Sequence, residues 1–495
     1  MKKIILITFL GIVFNLSNTL AQINYDETNN FIDSVRNVWE VPGVAIAVVK
    51  DGEIIYTGGF GTKELGQDDP VNTETLFCLG SSTKAFTSFA AGLLVDEGVL
   101  DWRKPINDYI PWFRLKDENA SQNVDVLDLL THRSGLPKHP LCREIQPGSK
   151  KEFVERVGYL NNSGGLRERW QYSNINYIIV TCIIEEITGK SWNEYYKENI
   201  FEPLEMSRTY CNVAGAIADG NIANPHLEKD TVIEHMGYYH DSILSGAGTI
   251  YSSVDDMANW LIMHLNKGNY NENQLMNQRT ISSMHIPHSA TPWPVSYPEL
   301  FYNSYGLGWF VTSYRGHLHI HHGGVLMGYS AMVSFMPEYN TGVVVLANLN
   351  GTKLTDIIEK YLYDNIMEEE IIDWSSRFIS YNKRVEDYYK DYDPYKYLQK
   401  NTEPSHPIDE YCGKYFNNAY GEVELTKDGD DLSLSFEGGV CVVEHYHYDI
   451  FEFMDEVIYM GGKLSFITDV ETGDVIGFEM ITSKSGDDKV IFNKG

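Results

Sequence analysis

One short stretch constrains this chain more than any other: Cys78-Leu79-Gly80-Ser81-Ser82-Thr83-Lys84-Ala85-Phe86. Ser81 and Lys84 stand three residues apart directly after a glycine. An apolar run follows, with Phe86, Phe89, Ala90, Ala91, Gly92, Leu93 and Leu94, which predicts a deeply packed helix stopping near Gly98. Residues three apart on a helix share a face, so the lysine amine reaches the serine oxygen. The helix start adds N–H donors and the positive end of the helix dipole beside the serine. A serine hydroxyl is a poor nucleophile until its proton is taken, and a desolvated lysine one turn away suits that task. The same spacing recurs at Ser380–Lys383, in a charged segment with no glycine before it and no apolar helix after it. Context therefore singles out Ser81.

Two more triplets supply partners. Tyr172-Ser173-Asn174 precedes the apolar stretch Ile178 to Ile187, a loop before a helix. A phenol can shuttle a serine proton where nearby cations lower its pKa, and an amide can hold a substrate carbonyl. Tyr-x-Asn recurs at Tyr159, Tyr210, Tyr363 and Tyr415; its place between the serine motif and the third element favours Tyr172. That element is His322-Gly323-Gly324, at the end of a β run. Adjacent glycines let a substrate backbone lie close to a strand. The plainer reading is a glycine-rich turn with a satisfied histidine.

At 495 residues the chain exceeds one ordinary core, so two or more domains are expected. Residues 1–21 read as a secretory leader, with basic Met1-Lys2-Lys3, apolar Ile4 to Phe14, and an exit at Thr19-Leu20-Ala21. The run is too short to span a bilayer. An exported (periplasmic or extracellular) protein, cleaved near Ala21 and without a membrane span, is expected. Net charge is −30; losing Lys2 and Lys3 leaves 37 of the 39 basic residues against 69 acidic, or −32. That surplus argues against nucleic acid and anionic membranes as partners and leaves a small-molecule or peptide substrate. Six scattered cysteines without C-x-x-C give no metal site, and Cys412 with Cys441 is the only pair worth testing as a disulfide.

Residues 22–367 carry the three motifs. Val44 to Lys50 and Glu53 to Gly59 flank Asp51-Gly52 as a hairpin, and residues 306–312, 317–322, 329–336 and 342–349 read as β runs. Leu354 to Met367 predicts an amphipathic helix. Residues 368–405 are charged and tyrosine-rich, like a connector. Residues 406–495 alternate in short runs broken by Asp428-Gly429 and Gly438-Gly439, the pattern of a small antiparallel barrel or sandwich.

In that order, Gly80-Ser81-x-x-Lys84, Tyr172-x-Asn174 and His322-x-Gly324 resemble the three motifs of the serine β-lactamase and penicillin-binding protein family. The likeness is greatest to the class C-like branch of D-aminopeptidases, D-alanyl-D-alanine carboxypeptidases and esterases. Leu129-Leu130-Thr131-His132-Arg133-Ser134-Gly135-Leu136, Tyr305-Gly306-Leu307-Gly308-Trp309 and Gly328-Tyr329-Ser330 are similar to that branch too. Residues 406–495 resemble the lipocalin-like β domain that often follows it, notably around Glu444-His445-Tyr446-His447-Tyr448-Asp449.

The resemblance implies a β-lactamase-like α/β fold, an antiparallel sheet flanked by helices plus an all-helical half, with Ser81 at their junction and a small all-β barrel behind. It implies an acyl-enzyme on Ser81, with Lys84 and Tyr172 sharing the acid/base work and the identity of the base left open. Asn174, His322, Gly323 and Gly324 would bind substrate, and the backbone N–H groups of Ser81 and Val325 would form an oxyanion hole. No cofactor is implied. Many relatives carry lysine where this chain has His322. An imidazole loses its proton near pH ~6.5, and a neighbouring lysine lowers that value. His322 is therefore expected to be a neutral donor to Tyr172 or to substrate.

A peptidase or esterase is the first expectation. A β-lactamase or D-Ala-D-Ala carboxypeptidase is the alternative, and a silent binding protein on the same fold is an alternative of another class. His317, His319 and His321 share one strand face, where three imidazoles suit zinc. With no carboxylate or cysteine in a known ligand spacing, a face packed on helices or wetted by solvent is the expectation preferred over a metal site.

Overall fold

The computed structural model describes residues 23–138, 148–229, 231–240, 243–293, 296–390, 396–429, 431–436, 439–455, 460–481 and 489–495. The leader sequence and Cys142 lie outside these residues. Strands β1 (Gly43–Lys50) and β2 (Glu53–Gly61) form the expected hairpin. Asp51 and Gly52 both take positive φ, 54° and 84°, as a two-residue hairpin turn requires. They join β3 (Ser289–Ala290), β4 (Leu300–Tyr305), β5 (Phe310–Tyr314), β6 (His317–Leu326), β7 (Tyr329–Met336) and β8 (Thr341–Ala347). The sheet is antiparallel, in the order β2-β1-β8-β7-β6-β5-β4-β3.

Central strand β1 is apolar throughout because both of its faces are covered. Ala45, Ala47 and Val49 belong to the core on the helical side, while Val44, Ile46 and Val48 belong to the core on the other. Helices α1 (Tyr25–Val38) and α5 (Leu354–Ile366) close that second face. The first face meets α2 (Thr83–Asp96), α3 (Asn174–Thr188) and α4 (Val254–Leu265). Every residue of α2 from Thr83 to Leu94 is buried, which is why the helix carries no solvated polar stripe and polar groups such as Lys84 and Thr87 are hydrogen-bonded inside. Phe86 stacks on Trp260 of α4 at 3.9 Å. This is the β-lactamase-like α/β architecture the motifs implied.

Two local readings change. The run 306–312 is split, because Gly306–Trp309 turns between β4 and β5 with Gly308 at φ 78°. The stretch 368–405 contains a helix, α6 (Trp374–Lys390). Trp374 and Phe378 are one turn apart and join the outer core, and Trp374 Nε1 donates to Tyr314 Oη at 3.1 Å.

Eight strands from Gly413–Asn417 to Lys489–Lys494 close into a barrel, with Tyr415, Phe451, Phe466 and Phe478 in its interior. The Cys412–Cys441 disulfide is not formed. The Cys412 thiol donates to Ile408 O at 3.5 Å and that of Cys441 points to Leu434 O at 3.9 Å. Between the barrel and the helical half lies a crevice of about 580 Å³, lined by Tyr159, Leu160, Phe416, Tyr420 and Ile491. It contains none of the three motifs. Among the described residues no helix is long and apolar enough to cross a membrane.

Candidate active site

Ser81 lies on a 3-10 turn, Gly80–Ser82, that runs directly into α2. Gly80 takes φ 50°, and a Cβ there would fall 2.8 Å from the nitrogen of Val325. Gly324 is more tightly held: its Cβ would lie 1.9 Å from Leu79 O and 3.1 Å from Ser81 N. The serine turn and β6 therefore touch backbone to backbone, an approach only glycine permits. Ser82 Oγ ties the seam by donating to His322 O at 2.8 Å. Gly323 is different. Its nearest would-be neighbours are at 3.7 and 3.8 Å, so packing does not require the missing side chain.

Lys84 has no exposed surface. Its Nζ stands 3.0 Å from Ser81 Oγ and donates to Ala247 O at 2.7 Å. That carbonyl belongs to a 3-10 turn, Ser245–Ala247, laid against α2 through Thr87 Oγ1 donating to Gly246 O. Tyr172 faces Ser81, and its ring centroid is 4.9 Å from Lys84 Nζ. Burial pushes the Tyr172 phenol well above its ordinary range, against the opposite pull of the neighbouring Ser81 hydroxyl. The expected lowering by nearby cations does not prevail, because desolvation is the larger effect. Asn174 opens α3, and its Oδ1 is buried without a hydrogen-bond partner.

His322, within β6 rather than at its end, is 2% exposed. Its Nδ1 is 2.7 Å from Gly323 O, and its Nε2 is 3.0 Å from Tyr305 Oη. A carbonyl oxygen only accepts, so the proton sits on Nδ1 and Tyr305 donates to Nε2. This corrects the expectation of a donor to Tyr172 or substrate, because the strand turns the ring onto its own backbone. Burial, then the charge of Lys84, pushes the imidazole down to about 3.

His132 plays a part that no sequence spacing indicated. At φ 58°, it accepts from Ser173 N–H and Asn176 Nδ2 through Nδ1, each at 3.2 Å. The proton is therefore on Nε2, which is buried without a hydrogen-bond partner. The ring lies 4.5 Å from that of Tyr172 and 4.9 Å from that of Tyr305. Burial, reinforced by Lys84 and His322, holds its pKa well below the ordinary value. His132 and Tyr305 both sit in phrases that resemble the family, yet nothing in those phrases says which groups they touch.

The three alternating histidines go separate ways. His317 Nδ1 meets Glu338 at 2.6 Å, His319 Nε2 meets Glu359 at 2.6 Å, and His321 stacks on His319 at 4.6 Å. Among the described residues there is no group of three or more His, Cys, Asp or Glu placed to hold a metal ion.

An antiparallel sheet flanked by helices, with serine, lysine and tyrosine meeting where it joins a helical half, defines the serine β-lactamase and penicillin-binding class. The chain belongs to the Beta-lactamase family, whose model matches residues 31–366. A domain of unknown function matches residues 399–493. An unguisins hydrolase of Aspergillus campestris is 28% identical over 412 residues, 79% of this chain and 75% of its own. An N-acetylmuramyl-L-alanine amidase of Bacillus subtilis is 28% identical over 352 residues, 64% of this chain and 79% of its own. The octameric penicillin-binding protein homologue from Pyrococcus abyssi superposes with TM-score 0.63 at 22% identity, over 95% of this chain and all of that one. The chain is a hydrolase of this family.

Proposed function

We propose that the protein is an exported serine hydrolase that cleaves amide or ester bonds of small molecules or peptides through an acyl-enzyme on Ser81. One observation carries the reading: buried Lys84 Nζ stands 3.0 Å from Ser81 Oγ with the Tyr172 ring 4.9 Å from the same amine. Lys84 Nζ, anchored by an N–H to Ala247 O and 3.0 Å from Ser81 Oγ, is placed to exchange the serine proton. Tyr172, kept protonated by burial, delivers a proton to the leaving group. The N–H groups of Ser81 and Val325, brought together at the glycine seam, receive the oxyanion, where one such donor is worth roughly 100-fold or more. The unpartnered Oδ1 of Asn174 accepts an N–H of the substrate, which favours an amide over a plain ester. Gly323 leaves room for the substrate backbone along β6.

The hydrolase and amidase names of the relatives agree with this reading. A β-lactamase or carboxypeptidase that grips a carboxylate at position 322 is less well supported, because the neutral imidazole has both nitrogens engaged. Export rests on residues 1–21, and N-terminal sequencing of the mature protein checks it. The chemical test is covalent labelling with a fluorophosphonate, with the adduct mapped by mass spectrometry. Label on Ser81, lost in Ser81→Ala, is expected. Label on another serine, or none with any acylating probe, overturns the assignment.

A further inference from the structure

Trp293 is 50% exposed, beside a site where Trp170 and Tyr172 are half-buried and Tyr305 and Phe310 are buried. Its ring meets Trp170 edge-on at 5.1 Å and 80°, and leans on Phe310 at 5.2 Å and 32°. Trp170 lies 6.1 Å from Tyr172, and Phe310 lies 5.1 Å from His322. These contacts form an unbroken aromatic wall from Tyr172, beside Lys84, out to the surface. The outermost residue is held in place: Asn303 Nδ2 donates to Trp293 O at 3.1 Å, and Thr291 N–H donates to Asn303 O at 3.0 Å. An indole kept half in water on a tethered segment forgoes burial that folding would otherwise gain, and exposed aromatic surface beside a site is characteristic of a binding face.

The chemistry of the wall narrows what it takes. Its inner end is an imidazole with both nitrogens engaged, so it offers no counter-charge. The near-perpendicular rings of Trp170 and Trp293 make a corner of one face and one edge, which complements a further ring packed edge-to-face. We propose that Trp170, Trp293 and Phe310 form the specificity subsite of the Ser81 centre and take an uncharged aromatic or bulky apolar group next to the scissile bond. The inference rests on the serine-hydrolase reading.

The test uses the full chain and two pairs of thioesters. One pair compares a phenylacetyl with an acetyl group on the same small aliphatic thiol. The other compares an acetyl group on benzyl thiol and on ethanethiol. Each pair gives a ratio of kcat/KM, and intrinsic reactivity cancels between wild type and variant. Trp293→Ala should lower one of the two ratios about 10-fold, and Trp293→Phe by less than about 3-fold. The pair that responds tells which side of the scissile bond faces the wall. Both ratios unchanged within about twofold, with Ser81 still labelled by the fluorophosphonate, would overturn the subsite alone. Failure to label Ser81 would overturn the hydrolase reading and the subsite with it.

Discussion

Residue 322 is where one side chain sets which substrates the site can grip. With the imidazole pushed down to about 3, it stays neutral throughout the range from pH 5 to 9. The kcat/KM of an anionic substrate relative to a matched neutral one should therefore show no histidine step in that range. The unshifted value near ~6.5 would place such a step within it. His322→Lys places a cation there and should raise the anionic-to-neutral ratio across the whole range. A clear step near neutral pH in the wild type would show that the ring is not buried as described. His132 has a positioning role. Removing it in His132→Ala leaves the Ser173 N–H without its acceptor, a loss of about 1–3 kcal/mol for a buried donor. We expect kcat to fall about 10-fold with KM little changed, as when a proton-transfer group loses its placement. His132→Asn, which restores an acceptor, should recover part of the loss.

Among the elements, β6 and α4 carry the sharpest predictions. Gly323 and Gly324 are neighbours under opposite constraints. Gly324→Ala forces a Cβ to 1.9 Å from Leu79 O, so β6 and the serine turn must separate. Acylation should fall by about 100-fold or more as the paired N–H groups part. Gly323→Ala meets nothing closer than 3.7 Å and should leave the melting temperature near that of the wild type. Equal losses of stability in the two variants would contradict the seam. On α4, His264 Nδ1 shares a hydrogen bond of 2.9 Å with His285 Nε2, among Trp260, Trp309 and Phe335. The bond needs one protonated and one bare nitrogen, so at most one of the two rings can carry a charge. Burial holds His264 well below its ordinary value and pushes His285 down to about 3. Below pH ~6.5 the unfolded chain binds protons that the folded chain refuses, so stability falls as pH drops towards 3. Each depressed group contributes up to about 1.4 kcal/mol per pH unit. Chemical denaturation at pH 7 and pH 5 should show that loss, and a His264→Phe, His285→Leu double variant should reduce it.

For the molecule as a whole, the net charge of −30 sets a long-range field that local contacts do not cancel. It repels anionic substrates before they reach the site. The screening length shrinks from ~30 Å at 0.01 M salt to ~10 Å at 0.1 M. The anionic-to-neutral kcat/KM ratio should therefore rise over that interval, in Trp293→Ala as in the wild type, since the effect belongs to the field and not to the wall. An unchanged ratio would mean that the acidic residues lie too far from the approach path to act. The barrel supplies none of the contacts described around Ser81. Its meeting with the helical half is the Tyr159–Phe416 crevice, apart from the motifs.

The residues alone determined the fold family, the nucleophile motif and the two partner triplets, because each is a short pattern whose chemistry depends on local spacing. The apolar run after Lys84 marked α2 as a buried helix, and the short alternating runs after residue 406 marked a small antiparallel β domain, for the same local reason; its closure into a barrel came from the tertiary structure. The helix Trp374–Lys390 was hidden, since among its described side chains only Trp374 and Phe378 mark its buried side. Tertiary structure decided everything that depends on distant segments meeting. Ser82 reaches His322 O across 240 residues and Lys84 reaches Ala247 O across 163. No local pattern records that a backbone carbonyl orients the lysine, that Leu79 O excludes a side chain at Gly324, or that Gly323 O captures the proton of His322. Burial is likewise a property of the assembled core. It raised the Tyr172 phenol and kept His322 and His132 neutral, reversing what charge neighbours alone had suggested for the tyrosine.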